Sequence, residues 1–306
     1  MEPTHFPNVQ HFPAPEGVKK PVVHAVVGPT ASGKTAWAIR LAHELGTEVV
    51  NADSRQVYAE LNIGVARPSP DELAAVPHHL VGHRSIHEPY TAFDYAEEAN
   101  AAVQDVIRRT GTAVVVGGSG LYLKAALEGL DPVPPTPPDV RARWQSVWEN
   151  EGLEGLQVRV AQQDPAFWAT VDQKNPRRLL RALEAMEVSG KPFSAWHTGA
   201  PEPRDFAVST HRLVPERAEL RLRIAQRVDV MEKAGLVEEV RALAPFQALQ
   251  ALQTVGYREF YETWERGGTT QEALEWVVVH TAQYARRQET WLNKYVGRSS
   301  DDRSAG

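Results

Sequence analysis

One short stretch of the chain has the residue types and spacing needed to bind a phosphate group. It fits the pattern G-x-x-x-x-G-K-[ST], and its members are Gly28, Pro29, Thr30, Ala31, Ser32, Gly33, Lys34 and Thr35. The two glycines let successive backbone N–H groups point inward, Lys34 adds a positive charge, and the Thr35 hydroxyl can bind a magnesium ion. The stretch therefore predicts a phosphate-binding loop, with Mg²⁺ as the cofactor and Thr35 as a metal ligand.

The segments on either side of this loop match what such a site requires. An apolar run at residues 22–27 precedes the loop and is typical of a strand. Residues 36–45 place apolar side chains at helical spacing, and Gly46 follows them. A helix that begins at the loop directs its N-terminus toward the anion. The loop is therefore expected between a strand and a helix.

Composition narrows the classes of function. The chain has 306 residues, no cysteine and a formal net charge of -6. Without cysteine, disulfides, thiolate zinc sites and cysteine nucleophiles are excluded. The negative net charge argues against a protein that coats nucleic acid. No apolar stretch approaches the roughly 18 residues that span a bilayer, so we expect a cytoplasmic protein with no membrane partner.

Positive charge is nevertheless concentrated in three places. The basic residues involved are Lys174, Arg177, Arg178 and Arg181, then Arg217, Arg221, Arg223 and Arg227, and finally Arg286 and Arg287. Each cluster is dense enough to neutralise several phosphates of a nucleic acid locally.

Strand and helix patterns alternate from residue 21 to about residue 130. The apolar, β-branched runs at 22–27, 48–52 and 113–116 are typical of strands buried on both faces of a parallel sheet. A proline-rich segment at 131–138 interrupts the alternation, and a helical pattern follows it. We therefore predict an α/β protein, with a P-loop NTPase-like parallel sheet flanked by helices and an inserted all-helical domain.

The same patterns predict the limits of each part. Residues 1–20 contain several prolines and are expected to form a disordered leader that contributes nothing to the core. We predict the α/β core at 21–135 and 204–296, the inserted helical domain at 136–203, and a frayed tail at 297–306.

Several stretches together resemble the bacterial tRNA dimethylallyltransferase family (IPP transferases). They cover the chain from about residue 22 to 295 in the family's order, and they are residues 28–35, 51–58, 63–68, 77–80, 117–122, 175–184, 255–259 and 286–291. Three positions depart from the family's pattern: Ser119 and Arg67 replace a threonine and a lysine, and Val65 replaces a threonine. We expect these changes to be tolerated.

The resemblance implies a reaction. The family transfers a dimethylallyl group from dimethylallyl diphosphate to the exocyclic amine of the adenosine adjacent to the anticodon on its 3′ side. The tRNAs concerned read codons that begin with U, and the products are isopentenyladenosine and diphosphate. The implied partners are the anticodon stem-loop of tRNA and dimethylallyl diphosphate, and we expect a monomer.

Catalytic roles follow from the same resemblance. Asp53 is the implied general base, although a carboxylate at a strand end can also cap a helix or hold magnesium through water. Ser119 is expected to hydrogen-bond the reacting centre or the bridging oxygen. Lys34 and Arg223 are expected to stabilise the leaving diphosphate, and the choice between Arg223 and Arg227 stays open.

Contacts with tRNA are implied for residues in six parts of the chain. They are Asp53, Ser54, Arg55, Gln56, Ser119, Arg141, Arg177, Arg178, Leu179, Leu180, Arg181, Val255, Gly256, Tyr257, Arg258, Glu259, Arg286, Arg287 and Gln288. Because a base stacked inside an anticodon loop must be turned out before its amine can react, we also predict a tunnel entered from opposite ends.

Two other classes of function are compatible with a phosphate-binding loop. A small-molecule kinase commonly has a magnesium-organising acid at the end of a central strand, whereas here residues 113–116 run into two glycines. An RNA-binding switch without transfer chemistry would not need Asp53 together with Ser119. Turnover separates these alternatives from the transferase.

Overall fold

The computed structural model describes residues 8–17, 19–196 and 204–296. The predicted tail at 297–306 and the last residues of the predicted inserted domain, 197–203, lie outside the described residues.

Six strands in the described part of the chain form one sheet. They are β1 (Asn8–Phe12), β2 (Val22–Val27), β3 (Val49–Ala52), β4 (His78–His79), β5 (Thr112–Gly117) and β6 (Ala207–Val214). Their order across the sheet is β1-β6-β2-β5-β3-β4. Every pair is parallel except β1 with β6. The predicted parallel sheet is confirmed for β2 to β6, and β1 adds an antiparallel strand at its edge.

Helices follow the strands along the chain. They are α1 (Lys34–Leu45), α2 (Pro70–Ala75), α3 (Ala92–Thr110), α4 (Gly120–Leu127), α5 (Pro138–Gln163), α6 (Pro165–Trp168), α7 (Pro176–Ser189), α8 (Arg217–Lys233), α9 (Leu236–Leu243), α10 (Arg258–Glu265) and α11 (Thr270–Tyr295). The predicted first helix is confirmed: α1 begins after Gly33 and ends before Gly46, and both glycines have left-handed backbone.

The prediction of a disordered leader that contributes nothing to the core is wrong for residues 8–12. This segment is β1, and it pairs in antiparallel register with β6 from Asn8↔Val214 to Phe12↔Thr210. The prolines at 7 and 13 stand on either side of the strand, so none of them removes a hydrogen bond from the ladder. Val9 also packs against the core beneath the sheet. The prediction of disorder, which was based on the prolines, therefore missed an edge strand.

The ends of the central strands are level with one another. Val27 in β2 lies opposite Gly117 in β5, and Gly117 lies opposite Ala52 in β3. Since these strands are parallel, the chain leaves all three at the same edge of the sheet. The residues that follow them are the phosphate-binding loop, Asp53 and Gly118, so the register brings the predicted chemistry to one edge.

Contacts divide the chain into two units. The first holds the sheet and comprises the described residues up to Gly129 and from Arg204 onward, whereas the second begins at Leu130. We predicted the boundary at 135/136. The earlier start has a physical cause, because the Arg181 guanidinium in α7 donates to the carbonyl oxygens of Val133 and Pro134 at 3.3 and 2.9 Å.

The second unit is helical and has its own core. Leu156 and Val160 of α5 pack with Leu179 and Leu183 of α7, and all four are fully buried. Tryptophans at 144, 148 and 168 pack half-buried against this core. Over the described ranges, no helix of either unit is both long and apolar enough to cross a bilayer.

Gly117 provides a test of the close approach of β3 and β5. A β-carbon at this position would lie well inside the contact distance of the Ala52 carbonyl group. Because backbone atoms cannot move aside cheaply, Gly117→Ala is expected to lower the free energy of unfolding by about 2 kcal/mol. Urea denaturation measures this change.

Gly111→Ala is the control for the Gly117 variant. Gly111 has a φ of 81° and nothing within 4 Å of an added β-carbon, so it reports backbone strain without a steric clash. We expect it to cost about 1 kcal/mol. A Gly117 variant as stable as the wild type would contradict the close packing described here.

Candidate active site

The phosphate-binding loop has a strained backbone. Ala31 and Gly33 both have positive φ values, 62° and 86°. Glycine adopts this conformation freely, whereas alanine does so at a cost, so the surrounding contacts must hold Ala31 in place. Ser32 is fully buried, and among the described residues its Oγ has no hydrogen-bond partner. A buried, unpaired hydroxyl in such a loop is suited to a phosphate oxygen.

Lys34 stands at the start of α1. Its Nζ donates a hydrogen bond to the Pro29 carbonyl oxygen at 3.3 Å. Loss of contact with water lowers the pKa of Lys34 to about 8; the charge of Asp53 opposes this shift and that of Arg227 adds to it. The ammonium group is therefore subject to the opposing charges of an acid and another cation. An anion with several charges would stabilise its protonated form.

Two arginines of α8 approach the loop from the same side. Arg223 Nη1 lies 3.5 Å from the Ser32 carbonyl oxygen, and its Nη2 forms an ion pair with Glu219 at 2.6 Å. Arg227 Nη1 lies 3.4 Å from the Thr30 hydroxyl. Burial lowers the pKa of Arg227. The structure therefore brings both arginines to the loop, and Arg227, which we did not include among the site residues, contacts it as closely as Arg223.

Asp53 lies one residue beyond β3, in a turn held by Asn51. The Asp53 N–H donates to the Asn51 side-chain oxygen at 3.2 Å, and the Asn51 amide donates to the Leu80 carbonyl oxygen at 3.0 Å. The Asp53 carboxylate accepts a hydrogen bond from the Arg55 N–H at 2.9 Å. One carboxylate oxygen is thus used to fix the side chain. Asp53 is half-buried.

Ser119 joins the turn after β5 to the turn that contains Asp53. Its Oγ accepts a hydrogen bond from the Ser54 N–H at 3.1 Å and lies 3.3 Å from the Ser54 hydroxyl. Burial raises the pKa of the Tyr284 hydroxyl to about 12; the charge of Asp53 adds to this, and a hydrogen bond with Ser119 opposes it. Asp53, Ser119 and Tyr284 therefore lie close together.

Gln288 of α11 contacts both ends of the site. Its Oε1 accepts a hydrogen bond from the Thr30 N–H at 2.8 Å, and its Nε2 donates to the Gly118 carbonyl oxygen at 2.9 Å. The side chain is buried, so the structure does not support the predicted direct contact between Gln288 and tRNA. Its neighbours Arg286 and Arg287 are exposed, and the guanidinium of Arg287 lies over the Tyr284 ring.

The predicted tRNA contacts at Arg55 and Gln56 have partners within the protein. Arg55 Nη1 donates to the Gln250 carbonyl oxygen at 3.1 Å, and the Gln56 amide donates to the Ala66 carbonyl oxygen at 2.8 Å. Both side chains tie the Asp53 turn to neighbouring loops. Ser54 is half-buried beside Ser119.

Within residues 255–259, the structure corrects the predicted role of three residues. A β-carbon on Gly256 would lie 2.7 Å from the Gly64 carbonyl oxygen. Tyr257 is fully buried and donates to Glu239, and Glu259 is buried with its carboxylate 2.9 Å from the Gly256 N–H. These residues pack the loop at 63–66 instead of facing a partner. Val255 and Arg258 are half-buried, and their contact with tRNA stays a prediction.

The remaining predicted residues belong to the second unit. Arg141, Arg177 and Arg178 are exposed. Leu179 and Leu180 are buried in the core of that unit, and Arg181 donates to the Thr136 hydroxyl at 2.6 Å. The predicted side-chain contact with tRNA is therefore corrected for Leu179, Leu180 and Arg181, which hold the unit together. Of the predicted tRNA-contacting residues in α7, Arg177 and Arg178 are the exposed ones, and their contact with tRNA stays a prediction.

Some residues of the site were not predicted. The sequence contains a signal for one of them, Asn51, and none for another, Glu239. Asn51 stands two positions before Asp53 at the end of an apolar run, so its place at the strand end could have been found. Glu239 lies in an ordinary amphipathic helix, and nothing in its surroundings indicates that it accepts hydrogen bonds from Ile63 and Gly64 at 2.8 and 3.0 Å.

The lowered pKa of Lys34 predicts how binding of inorganic pyrophosphate depends on pH. The ammonium is charged below a pKa of about 8 and neutral above it. We therefore expect the affinity of the protein for pyrophosphate to fall by about tenfold between pH 7 and pH 9. Isothermal titration calorimetry measures it.

Lys34→Met is the control, since pyrophosphate itself titrates in this range. The variant should bind more weakly at pH 7 and should retain only the pH dependence that the ligand contributes. Equal pH dependence in the two proteins would show that Lys34 does not titrate between pH 7 and pH 9.

Comparison with known proteins shows to which family this chain belongs. The family model described as IPP transferase matches residues 56–295. The tRNA dimethylallyltransferase of Christiangramia forsetii is 40% identical over 88% of this chain and 89% of its own length. That of Salinibacter ruber is 40% identical over 88% of this chain and 84% of its own.

Solved structures similar to this chain point to the same family. The full-length tRNA isopentenylpyrophosphate transferase from Bacillus halodurans is 29% identical with a TM-score of 0.62, covering 91% of this chain and 88% of that one. A eukaryotic dimethylallyltransferase acting on tRNA is 25% identical with a TM-score of 0.77, covering 89% and 69%. The resemblance seen in the sequence motifs is confirmed, and the chain belongs to the IPP transferase family.

Proposed function

We propose that this protein is a tRNA dimethylallyltransferase. It transfers the dimethylallyl group of dimethylallyl diphosphate to the exocyclic amine of the adenosine on the 3′ side of the anticodon, in tRNAs that read codons beginning with U. The observation that carries the proposal is the meeting of Asp53 and Ser119 with a phosphate-binding loop at one edge of the sheet. Relatives that are 40% identical over most of this chain are named tRNA dimethylallyltransferase.

The reaction needs a base and a site for negative charge. The adenine amine forms a bond to the allylic carbon, and the bond between that carbon and the diphosphate oxygen breaks. The amine loses a proton, and Asp53 accepts it as the general base. The hydrogen bond from the Arg55 N–H fixes one carboxylate oxygen, and in this proposal the other oxygen accepts the proton. Diphosphate leaves with the electron pair of the broken bond.

The phosphate-binding loop holds the leaving group. Its charge is met by Lys34, by Arg223 and Arg227 of α8, and by the N-terminus of α1. The Ser32 hydroxyl, buried without a partner among the described residues, supplies one more hydrogen bond. These groups bind more strongly as charge develops on the departing oxygens, which is how they accelerate the reaction.

We include Mg²⁺ as the cofactor, held through the Thr35 hydroxyl. In the described part of the chain, no cluster of three or more histidine and acidic side chains could hold a metal by itself. This fits magnesium, which usually keeps several waters and shares the phosphate oxygens of the substrate. When bound, the ion would neutralise part of the diphosphate charge.

Ser119 completes the reacting centre. Its Oγ is held by the Ser54 N–H and by Tyr284, close to Asp53. From there it can donate a hydrogen bond to the bridging oxygen of the diphosphate. The replacement of the family's threonine by serine keeps this hydroxyl.

Positive side chains that are exposed supply the contacts with the tRNA backbone. Arg286 and Arg287 lie on α11, next to the site, and Arg141, Arg177 and Arg178 lie on the second unit. We propose that these five contact the phosphates of the anticodon stem-loop. In this proposal the enzyme works as a monomer in the cytoplasm.

Removal of the base tests the mechanism. Asp53→Asn keeps the shape of the side chain and removes its ability to take a proton, so we expect kcat to fall by about 10²- to 10⁴-fold. Transfer of label from radiolabelled dimethylallyl diphosphate to unmodified tRNA measures it. Binding of tRNA should stay within about twofold of the wild type, since the turn is kept.

Asp229→Asn is the matched control, since Asp229 is exposed on α8 and should have wild-type activity. Full transfer by the Asp53 variant would refute the base assignment. If the wild type instead moves phosphate from ATP to a small acceptor and labels no tRNA, the loop belongs to a phosphotransferase.

The proposed contact between the second unit and tRNA can be tested separately. Arg178→Ala removes an exposed charge at the start of α7, so we expect weaker tRNA binding and a slope of log affinity against log salt that is smaller by about 1. Arg143→Ala is the control. Arg143 is also exposed, but it is paired with Asp139 at 2.8 Å and should not contact phosphate. Equal salt slopes for Arg178→Ala and the wild type would exclude the contact.

A further inference from the structure

We propose that Gln288 is a positioning residue that couples the docking of tRNA on α11 to the shape of the phosphate-binding loop. The inference rests on the proposed function and deepens it. It concerns the coupling between the two substrates: tRNA on α11 would tighten the binding of diphosphate, and diphosphate would tighten the binding of tRNA.

The orientation of the Gln288 amide is unambiguous. A backbone N–H can only donate and a backbone carbonyl can only accept, so Oε1 must face the Thr30 N–H and Nε2 must face the Gly118 carbonyl oxygen. The two distances are 2.8 and 2.9 Å, and the side chain is 5% exposed. Loss of either hydrogen bond would leave a buried polar group unpaired, which is costly.

Each of these hydrogen bonds holds a part of the site. Thr30 is in the phosphate-binding loop, immediately before the left-handed Ala31, and its hydroxyl also lies 3.4 Å from Arg227. Gly118 immediately precedes Ser119. A β-carbon on Gly118 would collide with the Gln288 amide, so the fit between α11 and this turn is tight. A small displacement of Gln288 would therefore move the loop and the turn together.

The same turn of α11 carries the side chains that face tRNA. Arg286 and Arg287 are the two residues before Gln288, and both are exposed. Arg287 also lies over the ring of Tyr284, which is hydrogen-bonded to Ser119. Phosphates that bind these arginines would fix this part of the helix and hence the Gln288 amide. No other side chain in this turn reaches the loop among the hydrogen bonds of the described residues.

Coupling of this kind is reciprocal and can be measured. We would titrate inorganic pyrophosphate with Mg²⁺ into the full-length protein, alone and saturated with an anticodon stem-loop that lacks the target amine. Wild-type protein should bind pyrophosphate about tenfold more tightly when the stem-loop is present. In Gln288→Ala the ratio of the two affinities should fall to about 1.

A second variant separates coupling from loss of stability. Gln288→Glu has nearly the same shape, and in its ionised form it cannot donate to the Gly118 carbonyl oxygen, so it should also reduce the ratio. Its melting temperature shows whether the fold is kept. Gln271→Ala, at an exposed glutamine in the first turn of α11, is the control and should retain the wild-type ratio. A merely structural role would lower the melting temperature and leave the ratio unchanged.

The results of these titrations distinguish failure of the coupling from failure of the proposed function. An unchanged ratio in both Gln288 variants, or a wild-type ratio of 1, overturns the coupling even if transfer to tRNA occurs. Failure of the wild type to bind the stem-loop at all, with no transfer of label, refutes the proposed function as well.

Discussion

The site depends on one constraint, the parallel register of β2, β5 and β3. Val27, Gly117 and Ala52 are paired across these strands, so the chain leaves all three at the same height. Gly117 has no side chain, and this lets the backbone of β3 approach closely. The spacing of the leaving-group site and the base is therefore set by backbone hydrogen bonds, which are stiffer than side-chain contacts.

Polar contacts between turns then hold the loops that follow the strands. Ser119 accepts from the Ser54 N–H, and Gln288 bridges Thr30 and Gly118. Each of these links uses a side chain from one segment to satisfy a backbone group of another. Such links resist movement because breaking one leaves a buried donor or acceptor unpaired. This is how a strained residue such as Ala31 can be maintained at the centre of the site.

Much of the fold could be predicted because local patterns coincide with the final structure. The apolar run at 22–27, the glycine-rich loop and the helix that ends at Gly46 are all as expected. The predictions differ from the structure in segments whose conformation depends on contacts with residues far away in the chain. The strand Asn8–Phe12 is too short and polar to be recognised alone, and it forms because the edge of β6 is available to pair with it. Likewise, the boundary at Leu130 depends on Arg181, far along the chain.

By itself, the sequence determined the chemistry of the protein: a loop for phosphate, a carboxylate at a strand end, and basic residues for nucleic acid. Residue types and short spacings carry this information because the groups are neighbours in the chain. Only the tertiary structure decided which similar side chains face a partner and which hold the fold. Arg178 is exposed whereas Arg181 is used internally, and Arg286 is exposed whereas Gln288 is buried. Exposure depends on what packs against each helix face, and those contacts come from segments remote in sequence.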